Sequence, residues 1–94
     1  MLALITTTQF KKDLKRIRKR GLDLNSLKFV LDTLQKQEAL PLKYRDHALV
    51  GDYRGFRECH IEPDWLLIYT ISNEKLILTA ARTGSHSDLF SVHF

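Results

Sequence analysis

The sequence predicts an α+β fold in which an antiparallel pair of helices packs on one face of a mainly antiparallel, twisted sheet. Two segments in the first half place apolar residues at helical spacing. The second half contains three runs rich in β-branched and aromatic residues, and a tight turn at 72–74 separates the last two. The expected order is β-α-α-β-β-β with a short C-terminal helical turn, in a single domain spanning residues 1–94.

The N-terminal strand and first helix have clear local signals. Residues 3–7 are apolar and β-branched, as expected of a strand. Thr7 or Thr8 is expected to cap the helix, and Gly21 to end it, because glycine tolerates the left-handed conformation common at helix C-termini. The helix's apolar face consists of Phe10, Leu14 and Ile17.

The second helix is expected to start at Asn25 or Ser26, both good capping residues, and Pro41 prevents its long continuation. A short connection to the first helix predicts an antiparallel helical hairpin. Its apolar face consists of Leu27, Val30, Leu31 and Leu34.

The C-terminal half begins with a polar, turn-like segment at 42–52. Ser85 is expected to cap one closing helical turn. The three predicted strands cover residues 53–61, 65–72 and 75–82, and the closing turn covers 86–90.

Composition narrows the classes of protein. A chain of 94 residues has room for one small core, and 44% apolar residues argue against disorder. The single cysteine, Cys59, favours a reducing compartment such as the cytoplasm. The start MLALITTTQF does not resemble a signal peptide, and no apolar run is long enough to span a membrane.

Charge is distributed unevenly along the chain. Residues 1–57 carry a net charge of +7 and residues 58–94 one of −3, and seven of the ten residues in KKDLKRIRKR, residues 11–20, are basic. Such a cluster is either a solvated helix face or a surface that attracts polyanions or an acidic protein.

Two segments carry a resemblance to a known family. HALVGDYRGFRECHIEPDWLLIY, residues 47–69, followed by RTGSHSDLF, residues 82–90, resembles the YafQ branch of the RelE superfamily of bacterial toxin–antitoxin toxins. The similarity extends more loosely over residues 1–90. It implies a RelE-like fold and a ribosome-dependent mRNA endoribonuclease that inhibits translation and growth and is neutralised by a cognate antitoxin. No cofactor, metal or membrane is implied, and operator DNA would be met only through the antitoxin complex.

The implied reaction is attack of the RNA 2′-OH on the adjacent phosphorus, which leaves a 2′,3′-cyclic phosphate. It requires a base, an acid and a cation for the phosphoryl charge. By resemblance, His86 is the acid and Arg82 binds the scissile phosphate. His60 or His47 is the base, and Asp64 either orients that base or shares its role.

Further residues are implied in RNA binding. Trp65 and Phe90 would stack on or enclose splayed nucleotides. Arg54 and Arg57 would bind the RNA backbone or simply cover the sheet edge. His93 matches no family position, and the role of the tail 91–94 stays open. In the first helix Lys15, Arg16 and Lys19 would meet ribosomal RNA phosphates or an acidic antitoxin helix.

Two other readings compete with the nuclease. A non-catalytic nucleic-acid- or protein-binding module on the same fold is possible, although it has no need of paired proton carriers. A metal-dependent nuclease would use His60, Asp64 and His86 as ligands, but their spacing matches no familiar metal motif. The nuclease reading requires the sheet to bring His60, Asp64 and Arg82 to one end.

Overall fold

The computed structural model describes residues 1–90 and confirms the predicted α+β architecture, a five-stranded mixed sheet with two main helices. The strand order is β1-β5-β4-β3-β2, in which β1 and β5 are parallel and all other neighbours antiparallel. No helix in this part of the chain is long and apolar enough to cross a membrane. Residues 91–94, including His93, lie outside the described residues. The elements are β1 (Ala3–Thr6), α1 (Thr8–Lys19), α2 (Leu24–Gln35), β2 (His47–Ala48), β3 (Arg57–Glu62), β4 (Trp65–Ser72), β5 (Ile77–Gly84) and α3 (His86–Phe90).

The two main helices begin at side-chain caps. Thr7 caps α1 as predicted, since its hydroxyl accepts a hydrogen bond from the backbone N–H of Phe10 at 2.9 Å. The prediction for α2 was wrong by two residues or more, because Asp23 and neither Asn25 nor Ser26 is the cap. The Asp23 carboxylate accepts the backbone N–H of Asn25 at 2.9 Å, and a carboxylate at this end also suits the helix dipole.

The strand predictions hold for β4 and need correction elsewhere. β3 begins at Arg57, four residues later than expected, because Gly51–Tyr53 form a 3₁₀ turn. β5 starts at Ile77 because the hairpin turn occupies 73–76. The segment expected to be only turn contains the two-residue strand His47–Ala48, which pairs with β3.

The sheet is apolar on both faces, but only one face carries the large core. Alternation along β3 directs Cys59 and Ile61 toward α1 and α2, and it directs Glu58 and His60 to the other face. Burial raises the pKa of the Cys59 thiol to about 12, so this cysteine stays un-ionised. A smaller cluster covers part of this second face. This cluster contains Leu66, Ile68, Ala81 and Leu89, packed against Leu49, Tyr53 and Phe56.

Side chains from the N-cap and the middle of α1 complete the outer edge of β5 beyond the end of β1. The Thr7 hydroxyl donates to the carbonyl of Ala81 at 2.7 Å. Asp13, which is fully buried, accepts the backbone N–H of Thr83 at 3.2 Å and two hydrogen bonds from Arg82 at 2.9 and 3.2 Å. The buried carboxylate therefore accepts hydrogen bonds both from the backbone at the edge of β5 and from the Arg82 side chain.

The short helix α3 is held by Asp88. Ser85 and Asp88 form a capping box, in which each side chain accepts the other's backbone N–H at 3.1 and 2.9 Å. Arg20 donates two hydrogen bonds to Asp88 at 2.6 and 3.0 Å, and Arg16 lies 3.1 Å away. The hydrogen bonds from Arg20 first, and then those from Ser85, hold the pKa of Asp88 well below its usual range. Gly84 leaves room for this arrangement, since a Cβ there would lie 2.9 Å from Asp88 Oδ2.

Replacing Asp88 by asparagine is expected to lower the free energy of unfolding at pH 7 by about 1 kcal/mol, since partly exposed ion pairs contribute modestly. The folded-state pKa of Asp88 lies below its unfolded value, so its stabilisation is present above roughly pH 4 and is lost as the pH falls further. The difference in the free energy of unfolding between the wild type and Asp88→Asn, measured by urea unfolding, should therefore become smaller as the pH falls from 6 to 3. Asp52→Asn, at an exposed position, is the control; an Asp88→Asn difference that stays constant with pH would contradict the assignment.

Candidate active site

Three histidines from distant parts of the chain converge on the sheet face opposite the main helices. His47 lies on β2, His60 on β3 and His86 at the start of α3. The ring centroids of His47 and His60 are 6.4 Å apart, and those of His60 and His86 are 5.6 Å apart. The structure thus brings together all three of the histidines that the sequence singled out.

Asp64, in the β3–β4 turn, orients His86. Its Oδ1 accepts the backbone N–H of His86 at 2.9 Å and lies 2.7 Å from the ring Nδ1. These two bonds, the backbone bond first, lower the pKa of Asp64. An ionised Asp64 can only accept, so Nδ1 carries a proton and Nε2 is left free for chemistry. Asp64 therefore contacts the expected acid, whereas the sequence reasoning had placed it beside the base.

Glu58 is a site residue that the sequence reasoning missed. Its side chain is buried, and its Oε1 lies 3.3 Å from Nε2 of His60 and 3.7 Å from Nε2 of His47. The opposite nitrogen of His47, Nδ1, donates to the carbonyl of Arg45 at 2.7 Å. The signal was available, because residues two apart in a strand share a face and Glu58 and His60 stand two apart.

A cavity of about 550 Å³ opens beside this cluster. His60 and His86 face it together with two cations, Lys43 and Arg45, that the sequence reasoning did not assign. The lining consists of Lys43, Tyr44, Arg45, His60, Ile61, Glu62, Pro63 and His86.

Arg82 is not among the residues that line this cavity. Asp13 binds its guanidinium through Nε and Nη2, and the Arg82 side chain is 22% exposed. These hydrogen bonds to the Asp13 carboxylate raise the pKa of Arg82, so it is permanently charged. Arg82 stands in one cross-strand row with Ile68 and Glu58, so it lies on the same sheet face as His60 and near the same end of the sheet, as expected. Its guanidinium, however, is turned to the buried Asp13 of α1 and away from the cavity.

Residues 2–91 match the family model described as the bacterial toxin of type II toxin–antitoxin systems, YafQ. The chain belongs to this family. It is 44% identical over 84 residues to the mRNA interferase toxin YafQ of Escherichia coli K12, across 87% of this chain and 88% of that protein.

Solved structures agree with the family assignment. A metal-bound toxin from Helicobacter pylori is 46% identical with a TM-score of 0.90, covering 96% of this chain and 100% of that one. YafQ in the E. coli DinJ–YafQ complex is 38% identical with a TM-score of 0.86, covering 96% and 99%. The YafQ family assignment therefore rests on both sequence and fold.

Two residues expected to bind RNA have structural roles instead. Trp65 is 1% exposed, and its indole N–H donates to the hydroxyl of Thr83 at 2.9 Å. A buried, hydrogen-bonded indole offers no face to a nucleotide, so this prediction was wrong. Arg57 lies on the sheet face away from His60 and donates to Asp46 at 3.3 Å, which fits the second of its two expected roles, covering the sheet edge.

The other expected binding residues stay accessible. Phe90 is 39% exposed and packs edge-on against Tyr53, with centroids 5.7 Å apart. Arg54 is exposed beside this pair. On α1, Lys15 and Lys19 are exposed, whereas Arg16 is turned toward Asp13 and Asp88.

Glu58, His60 and His86 together form a possible metal-binding cluster within residues 1–90. Each offers one ligand atom, and these atoms all lie within 4.8 Å of one another. Two imidazoles and a carboxylate suit late first-row divalent ions, and Asp64 behind His86 supplies a typical outer-shell hydrogen bond. The ligand set considered from the sequence, His60, Asp64 and His86, shares two members with this cluster, and the structure has Glu58 in place of Asp64.

Proposed function

We propose that this YafQ-family chain is an mRNA interferase, an endoribonuclease that cuts mRNA on the ribosome through the RNA's own 2′-OH. The observation that carries the proposal is the pair of carboxylate–histidine couples, Glu58–His60 and Asp64–His86, whose rings lie 5.6 Å apart. The E. coli relative, an mRNA interferase toxin, supports it. Two proton carriers on one cavity suit a reaction that takes up one proton and delivers another.

His86 is proposed as the general acid. Asp64 fixes the proton on Nδ1 and the orientation of the ring, while half of the His86 side chain is exposed beside the cavity. Its Nε2–H would donate a proton to the leaving 5′-oxygen as the P–O5′ bond breaks. Asp64 is thus a positioning residue here and not the base.

His60 is proposed as the general base. It takes the proton of the 2′-OH while the 2′-oxygen forms its bond to phosphorus, and the buried Glu58 carboxylate stabilises the imidazolium that results. His47 remains the alternative base, since its Nδ1 donates to a carbonyl and its Nε2 therefore holds a lone pair. No cofactor or metal is required for either version.

Substrate contacts beyond the proton carriers are proposed for Arg82 and Phe90. Arg82 keeps Nη1 outside its hydrogen bonds with Asp13, so it can still contribute positive charge. Phe90 and Arg54 are accessible to nucleotides next to the cleavage site.

We also propose that the partners are a cognate antitoxin and the programmed ribosome in the cytoplasm. The E. coli relative forms the DinJ–YafQ complex. The exposed lysines of α1, Lys15 and Lys19, suit either ribosomal RNA phosphates or an acidic antitoxin segment. Operator DNA would be reached only through the antitoxin.

The test is cleavage of mRNA on programmed ribosomes by toxin that has first been stripped of metal, with the new ends mapped. Ends with 5′-OH and 2′,3′-cyclic phosphate should form at an unchanged rate after the toxin alone has been treated with EDTA and desalted, because the histidines carry the chemistry. Loss of cutting, restored by a divalent ion, would revive the metal-dependent nuclease. Absence of cutting under every condition would favour the non-catalytic binding module.

Added metal, unlike the removal of metal, is expected to change the cleavage rate, because it can bind to the cluster of Glu58, His60 and His86. The donor set fits Zn²⁺ or Cu²⁺, and the H. pylori relative is a metal-bound toxin. Ligation would occupy the imidazole lone pairs, so micromolar Zn²⁺ should inhibit cutting, and desalting into EDTA should reverse this.

A further inference from the structure

The cations near the site fall into two groups. Four arginines in residues 1–90 are paired with carboxylates, whereas Lys43 and Arg45 line the cavity and form no ion pair within these residues. The paired ones are Arg16 and Arg20 with Asp88, Arg57 with Asp46, and Arg82 with Asp13. The charge of Lys43 and Arg45 is thus available to a ligand.

The segment that carries these two cations is fixed in place. Leu42–Tyr44 form a 3₁₀ turn, and the Tyr44 ring stacks on Phe29 of α2 at 6.0 Å. Arg45 follows in the left-handed conformation, with φ of 49° and ψ of 42°, which is uncommon for a residue with a Cβ. Its carbonyl accepts the Nδ1–H of His47 at 2.7 Å, so the turn and the histidine cluster are joined directly.

The chemistry of the cavity suits an anionic chain. Lys43 and Arg45 give the lining a positive net charge, since Glu62 is its one acid. Lys43 also lies over the Tyr44 ring, 5.3 Å from its centroid, which places an aromatic group beside the cations. Cations beside aromatics form the usual binding surface for single-stranded nucleic acid.

We propose that Lys43 and Arg45 bind the phosphates of the RNA strand that flank the cleaved bond. The inference rests on the proposed nuclease function and adds two RNA-binding residues in the cavity lining that the sequence motif does not contain. Arg45, with its planar fork, suits bidentate binding of one phosphate, and Lys43 suits a neighbouring phosphate as a point charge. Both act on affinity, because flanking phosphates are bound alike before and during the reaction.

The experiment compares wild type with the variant Lys43→Gln/Arg45→Asn in single-turnover cleavage of ribosome-bound mRNA. Asparagine tolerates the left-handed backbone at position 45, so the fold should be kept, which thermal unfolding verifies. The control is Lys75→Asn in the β4–β5 turn, at the far end of β4 from the site. Half-saturation and its salt dependence are measured for each protein, and Arg45→Lys tests the fork.

The double variant should need at least about tenfold more toxin for half-saturation, since one charged hydrogen bond is worth roughly that factor, with its maximal rate changed less than threefold. Its slope of log affinity against log salt should fall by about 1.4, at about 0.7 per lost phosphate contact. Lys75→Asn should match the wild type, and Arg45→Lys should fall between.

Other outcomes separate the two proposals. If the wild type cuts and the double variant has the same half-saturation and salt slope as the wild type, this inference alone is overturned. A lower maximal rate at unchanged half-saturation also overturns it, since the residues would then act on the chemistry and not on binding. Failure of the wild type to cut overturns the nuclease function and this inference together.

Discussion

Replacing His86 by alanine is expected to slow mRNA cleavage by about 10²- to 10⁴-fold, the range typical of a positioned acid. The imidazole is the group that Asp64 orients toward the cavity, and alanine leaves the 5′-oxygen without a proton donor. Binding of the cognate antitoxin should be retained, because the substitution removes one half-exposed side chain outside both hydrophobic clusters. Single-turnover cleavage on programmed ribosomes and antitoxin pull-down measure the two effects.

Asp64→Asn is the matched comparison for His86→Ala. An amide oxygen can still accept from the backbone and ring N–H groups of His86, so the ring keeps its orientation while the charge is lost. Its cleavage rate should lie between that of the wild type and that of His86→Ala. If His86→Ala cut mRNA at the wild-type rate, His86 could not be the general acid.

Replacing Asp13 by alanine is expected to lower the free energy of unfolding by about 3 kcal/mol, because it breaks a buried, fully hydrogen-bonded charge pair. The substitution would leave the backbone N–H of Thr83 without its acceptor and Arg82 without its carboxylate. Urea unfolding followed by circular dichroism measures the change. The loss exceeds that of a surface ion pair because Asp13 is fully buried.

The control for Asp13→Ala is Asp32→Ala on α2, which removes an exposed pair with Lys28 and should cost less than about 0.5 kcal/mol. Asp13→Asn should be intermediate, since an amide can accept from Thr83 but cannot neutralise Arg82. A loss below about 1 kcal/mol for Asp13→Ala would mean that water replaces the carboxylate at this edge.

Elements with strong local signals could be read from the sequence, and those that depend on distant partners could not. β4 matches its predicted range because its apolar run is bounded by turn residues, and α3 matches because the Ser85–Asp88 capping box is local. β2 has only two residues, His47–Ala48, and exists because β3 offers a free edge. No pattern within such a short segment distinguishes a strand from a turn.

The residues of the candidate site likewise fall into those that the sequence indicates and those that depend on distant partners. The histidines followed from the family motif, and the partner of His60, Glu58, could have been found from the two-residue period of a strand. Arg82 had an unseen partner, since Asp13 is 69 residues away in the chain. Arg45 had no local signal at all, because its place at the cavity depends on how the 3₁₀ turn stacks on α2.

The parallel pairing of β1 with β5 has a consequence for synthesis of the protein in the cell. Bonds such as that between Thr7 and Ala81 span 74 positions, so the sheet closes only when nearly the whole chain has been made. His86 follows later still. A nascent or prematurely terminated polypeptide that ends before β5 therefore lacks both a finished sheet and the proposed proton donor, so it cannot carry out the proposed cleavage.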